Sequence, residues 1–112
     1  MSAISWSEFQ KVEIRIGTII EIIDFPEAIK PSYQLKVDLG KKIGVKQSSA
    51  QIMDLYSKED LLDRQVIVVV NLFPKQIGPF ISECLITGFH REDNEVVLAV
   101  PDKKMKNGAR LS

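Results

Sequence analysis

VEIRIGTIIEI, residues 12–22, is the stretch of sequence that decides the fold. Apolar or β-branched side chains stand at alternate positions from Val12 to Ile22, and this period of two predicts a long β-strand. Gly17, in the middle of the run, predicts a bend or bulge of the kind that a small barrel needs where one strand serves both sides. Pro26 ends the strand, because proline has no amide hydrogen to donate to a sheet.

The segments on either side of this strand predict a small barrel. Ser5 and Glu8 match a capping box, which predicts a short helix from about Ser5 to Lys11. Further strands are predicted at 33–39, 43–47, 66–70, 81–87 and 95–100, with a helix of about two turns at 54–62 and a loop at 71–80. The order β-β-β-α-β-β predicts an all-β, five-stranded barrel of the oligonucleotide/oligosaccharide-binding type, or OB-fold. The N-terminal helix, the helix between strands three and four, and a C-terminal strand and tail are added to it.

The length of 112 residues predicts one domain, with an N-terminal helix at 1–11, the barrel at 12–100 and a basic tail at 101–112. Lys plus Arg and Asp plus Glu number 15 each, which argues against a protein that coats nucleic acid by bulk charge. The stretch 103–110 nevertheless carries four cations and no acid, so it is either a solvated tail or a binding patch.

The sequence offers little material for catalysis or cofactor binding. The single cysteine, Cys84, lies beside apolar residues and is expected to be buried and inert, and the single histidine, His90, lies in a charged turn. One Cys and one His make neither a disulfide nor a usual zinc site, and no phosphate-binding loop is present. We expect a binding protein that is not an enzyme and has no cofactor. The start of the chain resembles no signal peptide and no run is long enough for a membrane span, which predicts a cytoplasmic protein.

The loop after the fourth strand is the best candidate for ligand binding. Phe73 and Phe80 could stack on a base and Lys75 could contact a phosphate, as in other barrels of this class. Alternatively, the two aromatic rings plug the ends of the barrel. Phe73, Ile77 and Phe80 would also give a peptide an apolar surface, with Asn71 and Ser82 as polar anchors. Those two polar residues could instead only hold the loop.

Several segments, taken in order, resemble the tRNA-binding-domain family over nearly the whole chain. They are VEIRIGTI at 12–19, FPEA at 25–28, NLFPK at 71–75, GPFISE at 78–83 and NGAR at 107–110. One further segment, KQSSAQ at 46–51, resembles the CsaA chaperone branch, whereas the tRNA-binding branch usually has Ser-Gly there.

The resemblance implies a homodimer with an export-related chaperone role that binds unfolded or precursor polypeptides and hydrolyses no nucleotide. The alternative is a tRNA-binding protein that reads RNA structure through Lys41, Lys42, Lys46, Lys75 and the basic tail. Together with Phe73 from the loop, the ligand-binding positions that the resemblance implies are Gln47, Ser48, Ser49, Gln51, Asn71, Lys75, Phe80, Ser82 and Glu83.

The N-terminal helix carries two aromatic residues, Trp6 and Phe9, and is too short to be stable by itself. These rings either pack on their own barrel or form part of a dimer interface. The family resemblance favours the dimer interface.

Overall fold

The computed structural model describes residues 1–112 as a mainly β protein with two short helices. The elements are α1 (Trp6–Gln10), β1 (Ile14–Asp24), β2 (Tyr33–Asp38), β3 (Val45–Ala50), α2 (Lys58–Leu61), β4 (Gln65–Val69), β5 (Lys75–Ile77), β6 (Phe80–Ser82), β7 (Leu85–Ile86), β8 (Gly88–His90) and β9 (Val96–Leu98). Neither helix has the length or the apolar character needed to cross a membrane.

The long first strand serves two sides of the barrel, as the sequence predicts. Its first half pairs with β4 and its second half pairs with β2, both antiparallel. The bulge predicted at Gly17 lies instead at Ile20, where the register with β2 shifts between Ile19 and Glu21. Gly17 is instead needed for close packing, because a Cβ at this position would lie 2.4 Å from the side chain of Val37. The glycine therefore lets β2 side chains pack directly over β1.

Five strands form one sheet in the order β3-β2-β1-β4-β7, which curls into a nearly closed barrel. The predicted all-β, five-stranded OB-fold is therefore confirmed. Side chains from all five strands fill the interior, together with Leu61 of α2 and Leu98 of β9. Leu35, Val37, Val66 and Val68 are almost completely buried, because alternate residues of a strand point to the same face.

Two predicted elements have different bounds in the structure. The helix predicted at 54–62 is only the single turn α2, because the capping box of Ser57 and Asp60 starts it late and Leu62 is already extended. The third strand, predicted at 43–47, occupies Val45–Ala50, because the turn that precedes it extends to Gly44. The polar segment from Gln47 therefore lies largely within β3.

The region after β4 is more divided than the sequence predicts. The predicted loop 71–80 contains β5, which pairs with β6 as a small hairpin. The strand predicted at 81–87 is interrupted at Glu83 and Cys84, which separate β6 from β7. The last predicted strand is shorter, β9, and it pairs with β8, which was predicted as part of a turn.

The C-terminal segment is anchored on the barrel and is not a free tail. We call residues 100–107 the basic arch. The side chain of Gln65 donates to the carbonyl of Met105 (2.6 Å) and accepts from its amide (2.8 Å). The side-chain oxygen of Asn107 accepts from Thr18 (2.7 Å) and from Gln65 (3.2 Å). The C-terminal end of the arch is thus held by side chains of β1 and β4.

Residues beyond the arch continue along β1. The amide of Gly108 donates to Ile16 (2.7 Å), that of Ile16 donates to Ala109 (3.0 Å), and that of Leu111 donates to Ile14 (2.9 Å). The end of the chain therefore adds backbone hydrogen bonds to the edge of the barrel.

Candidate functional site

The barrel closes between β3 and β6 mainly through side chains. The amide of Gln47 donates to the carboxylate of Glu83 (3.0 Å), and the amide of Ser49 donates to the hydroxyl of Ser82 (3.2 Å). The side-chain amide of Gln47 donates to the carbonyl of Ile81 (2.8 Å). A single backbone bond crosses here, from Glu83 to Gln47 (2.8 Å). We call this junction the seam.

A groove of about 650 Å³ lies beside the seam, between the end of β3, the β5–β6 hairpin and β7. We call it the seam groove. Its apolar wall includes Ile52, Leu72, Phe73, Ile77, Leu85, Ile86 and Val96, and its polar lining includes Ser49, Gln51, Lys75, Ser82, Glu83, Thr87 and His90.

Several apolar side chains of the groove face solvent. Phe73 is 99% exposed, and Leu72 and Leu85 are about half exposed. A cluster of exposed apolar side chains rimmed by polar groups marks a surface that binds another molecule. The groove therefore has the composition of a binding site, with apolar area for affinity and a few polar groups for orientation.

The structure brings six of the ten predicted ligand-binding residues into the groove. They are Ser49, Gln51, Phe73, Lys75, Ser82 and Glu83. They come from three separate stretches of chain, which meet because β3 and the segment following β5 face each other across the seam.

The other four predicted residues lie outside the seam groove. Ser48 is 1% exposed and points into the core. Gln47 and Phe80 line a smaller cavity of about 100 Å³, where the ring of Phe80 packs 5.3 Å from that of Phe25. The side chain of Asn71 accepts from the amide of Glu13 (2.9 Å) and donates to the carbonyl of Lys11 (2.6 Å). Asn71 thereby fixes the junction between α1 and β1.

The two loop aromatics have opposite surroundings. Phe80 is buried against the barrel, whereas Phe73 is free in solvent. The sequence alone left both alternatives open for both rings. Leu72, Leu85, Thr87, His90 and Val96 line the groove without having been predicted. Of these five residues, only Leu72 lies in the loop 71–80 that the sequence indicates as a ligand-binding segment. The other four become neighbours of the groove through strand pairing, which the sequence does not display.

Cys84 lies at the floor of the groove and is buried, as predicted. Burial, and then the nearby carboxylate of Glu83, raises the pKa of its thiol to about 11. The thiol is therefore protonated at neutral pH and is a poor nucleophile.

Helix α1 stands apart from the groove. None of its residues is buried, and the rings of Trp6 and Phe9 contact each other with centroids 5.3 Å apart. Trp6 remains 62% exposed. The helix is joined to the barrel at its end, where Arg110 donates to the carbonyl of Gln10 (2.6 Å).

Two solved chaperone structures share this architecture over the whole chain. The CsaA chaperone protein from Picrophilus torridus has a TM-score of 0.91 and 45% identity, covering 98% of this chain and 100% of that one. Chaperone CsaA from Bacillus anthracis str. Ames has a TM-score of 0.93 and 39% identity, covering 99% of this chain and 100% of that one.

Curated relatives include methionine–tRNA ligases. The ligase of Thermococcus onnurineus is 38% identical over 108 residues, and that of Pyrococcus furiosus is 39% identical over 112 residues. The matches cover 96% and 99% of this chain but only 14% and 15% of the ligases, so the chain corresponds to about one seventh of their length.

The model of a family described as a putative tRNA binding domain matches residues 14–110, which is nearly the whole chain. Neither this family nor the CsaA chaperones is a catalytic family. The match includes all strands of the barrel and ends within the segment that follows the basic arch. The chain therefore belongs to the tRNA-binding-domain family.

Proposed function

We propose that this chain is a chaperone of the CsaA type, a single domain that binds unfolded or precursor polypeptides in the seam groove. In this proposal it acts as a cytoplasmic homodimer with a role in protein export. The observation that carries the proposal is the apolar groove beside an incompletely hydrogen-bonded seam, with Phe73 exposed at its edge. The similarity to the two CsaA chaperones supports it.

The chemistry of the groove suits an unfolded chain. An unfolded polypeptide exposes apolar side chains that a folded protein hides, and Leu72, Phe73 and Leu85 offer such side chains a surface. Fully burying a Phe side chain contributes roughly 1.5–3 kcal/mol. Polar contacts then come from Gln51 and Lys75, which are both exposed.

The backbone beside the groove offers a further contact. Gln51 follows the last residue of β3, and its amide makes no hydrogen bond within the chain. An extended polypeptide can pair with such a free strand end through its own backbone, so binding need not depend on the client's sequence. Broad recognition of this kind is what a chaperone of unfolded chains requires.

The test is binding of a fluorescently labelled, permanently unfolded polypeptide, followed by anisotropy. Phe73→Ala removes the most exposed ring of the groove without touching the core, and we expect it to weaken binding by about tenfold, or ~1.4 kcal/mol. Ile29→Ala is the matched control, because Ile29 is a fully exposed apolar residue outside the groove. Equal affinities of the two variants would contradict the groove as the binding site.

A second candidate function is binding of tRNA, which the family match favours. The candidate cations are Lys41, Lys42, Lys46 and Lys75, together with the basic arch. Binding of labelled tRNA that weakens steeply with salt would support it, because each phosphate contact releases a counterion.

A further inference from the structure

We propose that the basic arch is a second binding site, specific for the sugar-phosphate backbone of RNA, and that it works independently of the seam groove. The proposal rests on the second candidate function, RNA binding, and does not depend on polypeptide binding. It assigns a role to the basic segment near the C-terminus, which the structure holds in place as an arch.

The C-terminal end of the arch is fixed to the barrel by side chains. Gln65 engages both the amide and the carbonyl of Met105, as a neighbouring strand would, and Asn107 is held by Thr18. The lysines of the arch take no part in these side-chain bonds. A charged segment that is ordered before binding loses less entropy on binding than a free tail, so its charges are more effective.

The arch and the barrel enclose a cleft of about 870 Å³ that is rich in unpaired cations. Arg64 lies on its barrel side, and Lys103, Lys104 and Lys106 lie on the arch. None of these four cations takes part in the chain's five ion pairs. The chain as a whole is neutral, so the cleft concentrates positive charge that the rest of the surface balances.

The chemistry of the cleft fits a sugar-phosphate backbone. No aromatic side chain lines it, so bases have nothing to stack on, whereas lysine ammonium groups bind phosphates as point charges. Two carboxylates, Asp63 and Asp102, also line the cleft. They would repel phosphates but can accept hydrogen bonds from ribose 2′-hydroxyl groups, which distinguish RNA from DNA. The mixture of charges therefore favours RNA.

The cleft and the seam groove share no lining residue. A polypeptide in the groove therefore leaves every side chain of the cleft free. The chain should accordingly bind RNA and polypeptide at the same time.

The test follows anisotropy of labelled bulk tRNA across a salt series. The triple variant Lys103→Gln, Lys104→Gln and Lys106→Gln should weaken binding by at least tenfold at low salt. It should also reduce the slope of log affinity against log salt by about 2, since each lost phosphate contact removes roughly 0.7–0.9. Because these side chains are exposed, an unchanged circular dichroism spectrum is expected.

The matched control removes three positive charges elsewhere, with Lys30→Gln, Lys58→Gln and Arg91→Gln. These residues line neither the cleft nor the groove, and the control should change the slope by less than 1. Equal slopes for the two triple variants would overturn the arch as the site while leaving RNA binding in place. Absence of tRNA binding by the wild-type chain would overturn the arch and the second candidate function together, and would not affect the polypeptide proposal.

Two further measurements test the remaining parts of the proposal. Adding saturating unfolded polypeptide should leave the tRNA affinity unchanged, and displacement of tRNA would overturn the independence of the two sites. An RNA oligonucleotide should bind more tightly than DNA of the same sequence, and equal affinity would overturn the assignment to RNA.

Discussion

Glu13 connects the two ends of the chain. Its carboxylate accepts from Arg15 (2.6 Å) and from Arg110 (2.9 Å), and Arg110 also donates to the carbonyl of Gln10 at the end of α1. The hydrogen bond from Arg15, and then the charges of Arg110 and Arg15, lower the pKa of Glu13 below its ordinary value of 4.5. Glu13 and Arg110 together therefore hold the N-terminal helix, the first strand and the C-terminal segment in contact.

The Glu13→Gln variant should unfold at a lower urea concentration than wild type at neutral pH. A carboxyl whose folded-state pKa is lowered contributes stability above its unfolded-state pKa and loses it as pH falls through the folded-state value. The difference between variant and wild type should therefore shrink as the pH falls through the lowered pKa of Glu13, where the wild-type side chain also becomes neutral. Urea unfolding at several pH values measures both effects.

Glu59→Gln is the control for this experiment, since Glu59 is exposed and makes no ion pair. It should have little effect at any pH. If Glu13→Gln remained less stable than wild type by the same amount down to acid pH, the carboxylate charge would not be the cause of the difference.

At this scale the sequence could not distinguish the surroundings of similar residues. Phe73 and Phe80 both flank prolines, yet Phe80 is buried because Phe25, 55 positions earlier, provides a partner ring. Ser48 and Ser49 are neighbours, yet strand alternation sends one into the core and the other to the seam. Such outcomes depend on contacts between distant segments, which a single sequence does not display.

At the scale of elements, a turn glycine supports the basic arch. Gly40 has a φ of +89°, and a Cβ there would lie 2.6 Å from the carbonyl oxygen of Asn107. Gly44, in the same turn, has a φ of +83° but no atom within 4 Å of the Cβ position. Both glycines thus have a left-handed backbone conformation, but only Gly40 lies against the arch.

The variants Gly40→Ala and Gly44→Ala should separate these two effects. Gly44→Ala should cost about 1 kcal/mol, which is the penalty of a left-handed conformation for a residue with a Cβ. Gly40→Ala should cost roughly 1–3 kcal/mol more, because the added methyl group forces the arch away from the barrel. Equal losses of unfolding free energy in the two variants would mean that the arch moves away from the barrel without loss of stability.

Elements defined by alternating hydrophobicity were predictable, and those defined by packing were not. Strands β1, β2 and β4 stand within two residues of their predicted ends, because period two is explicit in the sequence. The second helix and the bulge were misplaced. A late capping box shortens the former, and the latter lies at Ile20, whereas Gly17 serves the close packing of Val37.

At the scale of the whole molecule, α1 is the least integrated part. It has no buried residue, although it carries two aromatic rings. Trp6 is exposed and Phe9 is half-buried, and such an aromatic pair on a helix too short to be stable alone is typical of an interface element. Together with the proposal of a homodimer, this leads us to propose that Trp6 and Phe9 contact the second copy of the chain.

The variant Trp6→Ala should weaken that dimer, because Trp is among the residues whose truncation costs most in an interface. Light scattering at low micromolar concentration should give twice the mass of the chain for wild type and a smaller value for the variant. Met53→Ala is the control, as an exposed apolar residue on a different loop. An unchanged mass for Trp6→Ala would contradict the proposal that the helix forms part of the dimer interface.

The order of elements predicted the barrel of the whole molecule, and the composition predicted that it would carry little net charge. The basic stretch of the arch was visible in the sequence as a possible binding patch, but the groove and the cleft beside the arch were not predictable, since each is lined by segments far apart in the chain. The arch in particular depends on Gln65 and Thr18, two residues with no distinguishing local pattern, meeting a loop 40 or more positions later.

The seam has an evolutionary consequence. A ladder of backbone bonds is available to almost any sequence, so point mutation can hardly adjust its strength. The closure between β3 and β6 is instead encoded in a few codons, those of Gln47, Ser82 and Glu83. Selection can therefore adjust the strength of this junction one substitution at a time, while the fold itself is inherited unchanged.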